Sequence, residues 1–200
     1  HGVPDWYIWS CKKIKYMFPK AHAAAYVMMG WRVAWFKVHK PLAYYAAYFG
    51  IRASAFSYEI MCRGKERLDI ALSDLLKTPK DQQTKKDQDT IRDGRIAQEM
   101  YARGFTFMPI DIYKAKAREC QIIDGKIMPP LSSVEGLGDK ACEQVEEAAK
   151  HGPFTSLENF RNQAKVSKTN VDKMVELGIL TGLPETDQLT FDFFMTQGSA

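Results

Sequence analysis

The stretch Val134–Ala141, which reads VEGLGDKA, places two glycines one residue apart directly before an amphipathic segment. Glycine reaches positive φ and allows close backbone approach, so the pair predicts a tight turn between two helices. The second helix then begins with backbone N–H groups that have no carbonyl acceptor within the helix. Those donors, the helix dipole and the side chain of Lys140 predict an anion site suited to a phosphate.

This pattern resembles the helix-hairpin-helix motif of sequence-independent DNA-binding proteins. The resemblance implies that Gly136, Leu137, Gly138 and Lys140 contact the backbone of duplex DNA. The alternative is a helix corner that only packs against its neighbours. Two spaced glycines leave that alternative open, because they are less specific than a metal-binding signature.

A second helical hairpin is predicted to follow the first. Thr155–Glu158 has the spacing of a capping box, and Ser167 is positioned to cap a helix that runs through Leu177. The turn between these helices reads KVSKTN and contains no glycine. We expect the second hairpin mainly to brace the first, with Lys165 and Lys168 making a weak DNA contact.

Charge and aromatic residues are distributed unevenly along the chain. No Asp or Glu occurs from Trp6 to Tyr58, a stretch with eight basic residues, and 15 of the 24 aromatic residues lie in the first 58 positions. Because phosphate contacts dominate nucleic-acid affinity and bases stack on rings, this stretch indicates a polyanionic partner. The alternative is an ordinary aromatic core with a solvated basic rim.

The run KIKYMFPKAHAAAY, residues 13–26, concentrates that basic and aromatic character at one predicted helix start. A lysine there opposes the helix dipole, and a bound phosphate would remove the conflict for Lys20. His22 adds a donor, and Phe18 and Tyr16 offer flat faces to a base or sugar. Further positive charge comes from the preceding helix, from Lys12, Lys13 and Lys15. The run therefore predicts a phosphate-facing site.

Three helices are predicted before residue 51, together forming one compact all-α unit. Asp5 is expected to cap a helix that runs to about Met17, a second spans Ala21–Val38, and a third runs from Pro41 to Gly50. The second helix is expected to bury one stripe, formed by Ala23, Val27, Trp31 and Ala34.

The middle of the chain is charged and then turns to β-type sequence. Helices are predicted at Glu66–Lys77 and Asp87–Arg103, with a polar connection around residues 78–92. Residues 105–128 carry β-branched and aromatic side chains, and Asp124-Gly125 is a type I′ hairpin signal. The fold class predicted is therefore mainly α with a small β element (α+β).

Several classes of protein and site are disfavoured by composition. No window of 18 apolar residues lacks a charge, so no membrane span is expected. The four cysteines lie far apart without a CxxC pair, which favours thiols in a reducing, cytoplasmic setting over disulfides or a metal site. The first residues, HGVPDW, show neither an initiator Met nor a signal peptide, as in a piece of a longer protein.

The segment from Tyr7 to Ser54, which contains KIKYMFPKAHAAAY, is similar to the fingers region of PolC-type replicative DNA polymerases. The resemblance continues through the β element and PPLSSVEGLGDKA, and it covers nearly the whole chain. It implies a helical fingers region at 1–103, a β element with tandem duplex-binding hairpins at 104–183, and a tail at 184–200. It also implies that the incoming nucleoside triphosphate is bound by Phe18, Lys20 and His22, with Tyr16, Lys12 and Lys15 as weaker candidates.

Polymerase chemistry requires paired carboxylates that hold two metal ions. In the family that this chain resembles, the palm that carries them precedes the fingers, so no catalytic or metal residue is expected in this fragment. Asp111 lies in a predicted strand without a matching carboxylate partner, and we reject it as a ligand. The Mg²⁺ ions would belong to the full-length enzyme, and the fragment alone is expected to be inactive.

The tail contains the stretch QLTFDF, which resembles the peptide by which bacterial polymerases bind the sliding clamp. The resemblance implies a hydrogen bond from Gln188 and apolar pockets filled by Leu189, Phe191 and Phe193. Whether Phe193 or Phe194 fills the last pocket stays open. The alternative is that these aromatic residues fold back on the domain.

The expected partners are duplex primer-template DNA, a deoxynucleoside triphosphate, the sliding clamp and other replisome subunits. No membrane partner is expected. The rival function is a non-catalytic helix-hairpin-helix scaffold for DNA binding or repair, against which the KIKYMFPKAHAAAY run argues.

Overall fold

The computed structural model describes residues 1–16 and 18–187. Its contacts divide the chain into two compact units, His1–Pro41 and Leu42–Ala200. The fold is mostly helical with one small two-stranded sheet, as predicted. The functional division at residues 103/104 and 183/184 stays a prediction.

The first unit contains helix α1 (Asp5–Lys13) and helix α2 (Lys20–His39). The prediction that Asp5 caps α1 is wrong, because Pro4 occupies the cap position and Asp5 is the first helical residue. The predicted extension of α1 to about Met17 is also wrong, since the helix ends at Lys13. Helix α2 begins one residue earlier than expected, directly after Pro19.

The predicted buried stripe on α2 is absent from this unit. Neither α1 nor α2 has a buried residue, and Val27 and Trp31 are 56% and 76% exposed. The reason lies in the sequence of α2, which carries large apolar side chains around its whole circumference rather than on one face. A helix of that kind buries its apolar side chains only when other elements pack against all of its sides. Helix α1 alone does not bury any of them.

The second unit holds the remaining elements. In chain order they are α3 (Pro41–Ala47), two π-helical turns (Tyr48–Arg52 and Tyr58–Cys62), α4 (Lys65–Lys77), α5 (Lys85–Ala102), β1 (Gln121–Ile123), β2 (Lys126–Met128), a 3₁₀ turn (Leu131–Ser133), α6 (Asp139–Ala149), α7 (Leu157–Ala164) and α8 (Lys168–Glu176). A continuous cluster of buried side chains reaches from Tyr45 of α3 to Leu180, beyond α8.

Gly50 does not end the third helix, contrary to the prediction. The chain passes through it in the π-helical turn, which continues to Arg52. A Cβ at Gly50 would lie 3.4 Å from the backbone N of Cys120. Close packing against the segment that precedes β1 therefore explains the glycine at position 50 better than helix termination does.

The polar connection between α4 and α5 is shorter than predicted and is closed by a capping box. The Oγ1 atom of Thr84 accepts from the backbone N–H of Asp87 (3.1 Å), and the Asp87 carboxylate accepts from the N–H of Thr84 (2.9 Å). This pair starts α5 at Lys85, two residues before the predicted start. The connection that remains spans residues 78–84.

Strands β1 and β2 form an antiparallel hairpin, with Gln121 opposite Met128. Asp124 and Gly125 have φ values of 49° and 74°, the positive pair that a type I′ turn requires. The preceding segment adds only an isolated bridge between Phe107 and Ile127.

Asp111 is not in a strand, contrary to the prediction. It lies outside any regular element, where its Oδ1 accepts from the N–H of Tyr113 (3.0 Å) and its Oδ2 pairs with Lys114 (3.1 Å). A short aspartate side chain stabilises such a local turn by binding the backbone two residues ahead.

A buried carboxylate fastens the first π-helical segment to α5. The side chain of Asp93 is fully buried and accepts hydrogen bonds from the Tyr48 hydroxyl and from the N–H groups of Ser54 and Ala55, each 2.9 Å long. The Nε of Arg92 donates a fourth, also 2.9 Å. The two carboxylate oxygens of Asp93 therefore each accept two hydrogen bonds from within the protein.

Candidate nucleic-acid interface

The turn Val134–Gly138 adopts the predicted tight geometry between the 3₁₀ turn and α6. The N–H of Leu137 donates to the carbonyl of Val134 (3.2 Å), and Gly136 has a φ of 88°. Gly138 caps α6, and its carbonyl accepts from the N–H of Cys142 (3.0 Å).

The two glycines have different roles in this turn. Gly136 holds a positive φ, which side chains with a Cβ rarely adopt. Gly138 has an extended conformation that any residue can adopt, and a Cβ there would meet nothing within 4 Å. No atom of the described chain thus requires a glycine at position 138, whereas close approach of a group from outside would.

The N-terminus of α6 is open. No side chain caps it, so the N–H groups of its first turn have no acceptor within the helix. Lys140, the second residue of α6, is exposed beside these donors. Of the predicted DNA-binding residues, the structure therefore brings Gly138 and Lys140 together at one helix end.

Leu137 has a different environment from its predicted neighbours. Its side chain is 6% exposed and belongs to the core, and its N–H is already bonded within the turn. Leu137 therefore anchors the hairpin, and its side chain is not open to a ligand.

Two charged pairs that could not be predicted from the sequence border the glycine turn. Lys86 at the start of α5 bonds to Glu135 (Nζ to Oε1, 2.5 Å). Arg118 lies 3.3 Å from the Oδ2 of Asp139, the first residue of α6. Both cations come from positions distant in sequence, so only the fold places them here.

The second hairpin is more closed than the first. Ser167 caps α8 as predicted, accepting from the N–H of Asn170 (3.2 Å). Helix α7 is capped by Ser156 rather than by Thr155, because the side chain of Ser156 reaches the N–H of Asn159 (3.0 Å).

Lys165, in the turn between α7 and α8, and Lys168, at the start of α8, are both exposed. Lys165 has a φ of 53°, the left-handed conformation that glycine usually supplies, and Lys168 is the first residue of α8. Because Ser167 already uses a donor of that helix, α8 offers fewer free N–H groups than α6.

The first unit carries a run of four neighbouring rings at the start of α2, of which Phe18 and His22 are stacked and the other pairs are tilted. Ring centroids are 5.2 Å apart for Tyr16 and Phe18, 4.5 Å for Phe18 and His22, and 4.5 Å for His22 and Tyr26. Lys20 is the first residue of α2, whose first turn contains no acidic residue and no side-chain cap. Four of the predicted nucleotide-binding residues therefore lie within one short segment.

The lysines at the end of α1 and just after it have surroundings different from those of the ring run. The Nζ of Lys13 lies 3.4 Å above the ring of Trp9, which engages it in a cation–π contact. Lys12 and Lys15 are exposed, and the described part of the chain records no contact between them and the ring run.

The absence of metal ligands from this chain stays a prediction. Among residues 1–16 and 18–187, no group of three or more His, Cys, Asp or Glu side chains is arranged to hold a metal ion. Cys11, Cys62, Cys120 and Cys142 are free thiols. Within the same residues, no helix combines the length and apolar character needed to cross a membrane.

The predicted clamp-binding residues, Gln188, Leu189, Phe191 and Phe193, lie outside the described residues.

Comparison with known proteins places these features in a family. The helix-hairpin-helix motif matches residues 104–188. A DNA polymerase III PolC-type from Caldanaerobacter subterraneus subsp. tengcongensis is 43% identical over 95% of the chain, and one from Streptococcus pyogenes is 46% identical over 97%. The chain spans only 14% and 13% of the length of these relatives. At this identity over nearly the whole chain, the chain belongs to the family of PolC-type DNA polymerase III.

Proposed function

We propose that this chain is a DNA-gripping and nucleotide-binding part of a replicative DNA-directed DNA polymerase. The observation that carries the DNA-binding role is the uncapped N-terminus of α6 beside Gly138, which needs no glycine for internal reasons. The family membership supports the polymerase context.

The α6 hairpin is suited to the DNA backbone rather than to base edges. Free N–H groups and the positive end of the helix dipole favour a phosphate, and Lys140 adds a charge. Val134 and Leu137, the large apolar residues of the turn, are buried and unable to enter a groove. Phosphate contacts carry no base information, so we expect binding without sequence preference.

The test of that role is a comparison of two DNA duplexes of equal length and unrelated sequence. We expect the chain to bind both with the same affinity in a fluorescence-anisotropy titration. A strong preference for one sequence would mean that base contacts carry the binding, and it would overturn the proposed backbone grip.

The start of α2 is proposed to bind the incoming deoxynucleoside triphosphate. Lys20 and the free N–H groups of the first turn of α2 would hold phosphates, with His22 as a further donor. Phe18 and Tyr16 belong to the ring run and offer faces to the base or sugar. Lys12 and Lys15 are the outer candidates of this site.

Replacing Lys20 by alanine in the full-length polymerase is expected to raise the apparent KM for the nucleotide or to lower kcat, by about tenfold for the loss of one charged hydrogen bond. Arg32→Ala, which removes a charge three turns further along the same helix, is the matched control and should change neither. Normal steady-state kinetics for Lys20→Ala would remove this lysine from the site.

The chemistry of nucleotide addition is proposed for the whole polymerase, not for this segment. Two Mg²⁺ ions would supply it by activating the primer 3′ hydroxyl and the leaving phosphates. Their ligands are expected on the palm, and the described residues of this chain contribute no such cluster. The proposed setting is the cytoplasm, with primer-template DNA and other replisome subunits as partners.

The tail is proposed to tether the sliding clamp through Gln188, Leu189, Phe191 and Phe193. The support is the QLTFDF sequence alone. Deleting residues 188–193 should abolish clamp binding in a pull-down and leave duplex affinity unchanged. Retained clamp binding would show that the contact lies elsewhere.

A further inference from the structure

Two basic side chains from outside the glycine turn are held at its two ends. Lys86 of α5 bonds to Glu135, the residue before Gly136, and Lys86 is 73% exposed. At the other end Arg118 donates to Glu143 of α6 (3.0 Å) and lies 3.3 Å from Asp139, the first residue of α6, while remaining 57% exposed. Each cation thus lies at one end of the glycine turn while remaining accessible to solvent.

The segment that carries Arg118 is itself fastened to the hairpin. The N–H of Ala117 donates to the carboxylate of Glu146 on α6 (2.6 Å), and the carbonyl of Lys116 accepts from the N–H of Leu131 (2.9 Å). The backbone beside Arg118 is therefore held against α6, so that Arg118 lies near this helix before any DNA binds.

The carboxylates that hold these cations can be exchanged for a phosphate. Ion pairs at a solvent-exposed surface contribute only about 0–1 kcal/mol, so little is lost when one opens. A phosphate offers more acceptor oxygens than a carboxylate, and guanidinium binds it in a bidentate manner.

We propose that Lys86 and Arg118 bind two further phosphates of the DNA duplex, one on each side of the phosphate held by α6. In the free protein Glu135 pairs with Lys86, and Asp139 and Glu143 pair with Arg118. This inference rests on the proposed backbone grip of α6 and enlarges it. It also extends the interface onto α5, since Lys86 lies outside the residues that match the helix-hairpin-helix motif.

The experiment measures duplex affinity at several salt concentrations for Lys86→Ala and Arg118→Ala. Each substitution is expected to weaken binding several-fold and to reduce the slope of log K against log salt by about 0.9, the value for one phosphate contact. The matched control is Lys150→Ala, which removes a lysine from a similar exposed ion pair with Glu147. Lys150 follows the far end of α6, about 16 Å from the hairpin at 1.5 Å per residue, and its loss should change neither quantity.

A second variant separates phosphate binding from simple bracing of the turn. Glu135→Gln removes a carboxylate that competes with DNA for Lys86, and it is expected to raise duplex affinity. If the pair only braced the turn, Glu135→Gln would lower thermal stability without tightening DNA binding, and the inference would be overturned.

The failure of this inference differs from the failure of the proposed function. Unchanged salt slopes in Lys86→Ala and Arg118→Ala, together with normal wild-type binding, would refute the enlarged interface alone. Absence of duplex binding by the wild-type chain would refute both.

Discussion

Replacing Asp93 by alanine is expected to lower the free energy of unfolding by about 3 kcal/mol, a large part of the 5–15 kcal/mol typical of a domain. The carboxylate is fully buried and accepts from the Tyr48 hydroxyl and from the N–H groups of Ser54 and Ala55. Alanine would leave these three partly buried donors without their acceptor, and a donor that loses its partner keeps the part of its desolvation cost that water cannot restore. Urea denaturation of the chain measures the change.

Asp74→Ala is the matched control for that result. Asp74 forms an exposed ion pair with Lys77 on α4, and its loss should cost less than about 1 kcal/mol. Equal effects of the two substitutions would show that the hydrogen bonds of Asp93 do not fasten the π-helical segment to α5.

The contribution of Asp93 also has a predicted pH dependence. Burial raises the pKa of Asp93, but hydrogen bonds from Arg92, from the Ala55 N–H and from Tyr48 outweigh it, so the net pKa is lowered. The stabilisation is therefore complete above the unfolded pKa of about 3.9 and is lost as pH falls through the folded pKa. The stability difference between wild type and Asp93→Ala should accordingly shrink below about pH 4.

Gly138→Asp is expected to separate stability from DNA binding. An aspartate at the cap position accepts from the N–H groups of the first turn of α6 and stabilises a helix by roughly a few tenths of a kcal/mol relative to glycine. The same carboxylate occupies the donors proposed for DNA and repels phosphate. We expect the melting temperature to stay the same or rise, while duplex affinity falls at least tenfold.

The controls for Gly138→Asp address charge and shape in turn. Asn162→Asp adds the same charge on the exposed surface of α7 and should weaken binding only slightly. Gly138→Val adds bulk without a charge, and it should also weaken binding without unfolding the chain because a Cβ there meets no protein atom. Undiminished affinity in Gly138→Asp would contradict a phosphate contact at this helix end.

The hairpins and the β turn could be predicted because their causes are local. Glycine at position 136, the Asp124-Gly125 pair and the Ser167 cap each act on backbone within a few residues, and each has the predicted conformation. The start of α5 is harder to predict, because the Thr84–Asp87 capping box lies in a polar segment without hydrophobic periodicity.

The features that could not be predicted from the sequence depend on contacts between residues that are distant along the chain. The buried Asp93 accepts from residues about 40 positions away, and Lys86 meets Glu135 across 49 positions. The exposure of α2 likewise could not be predicted, because a run of apolar residues shows that a helix has apolar surface to bury but not which element packs against it. Gly50 was assigned to helix termination for the same reason, as its neighbour Cys120 is remote in sequence.

The most direct test of the central claim is the salt dependence of duplex binding by this chain. Fluorescence anisotropy with a duplex of arbitrary sequence would be recorded between about 50 and 200 mM salt, a range in which each phosphate contact contributes a slope near −0.9. The proposed grip by α6, Lys86 and Arg118 predicts tight binding at low salt and a slope of about −3. A slope near zero, or no binding at the lowest salt, would contradict the proposal that this chain holds the DNA backbone.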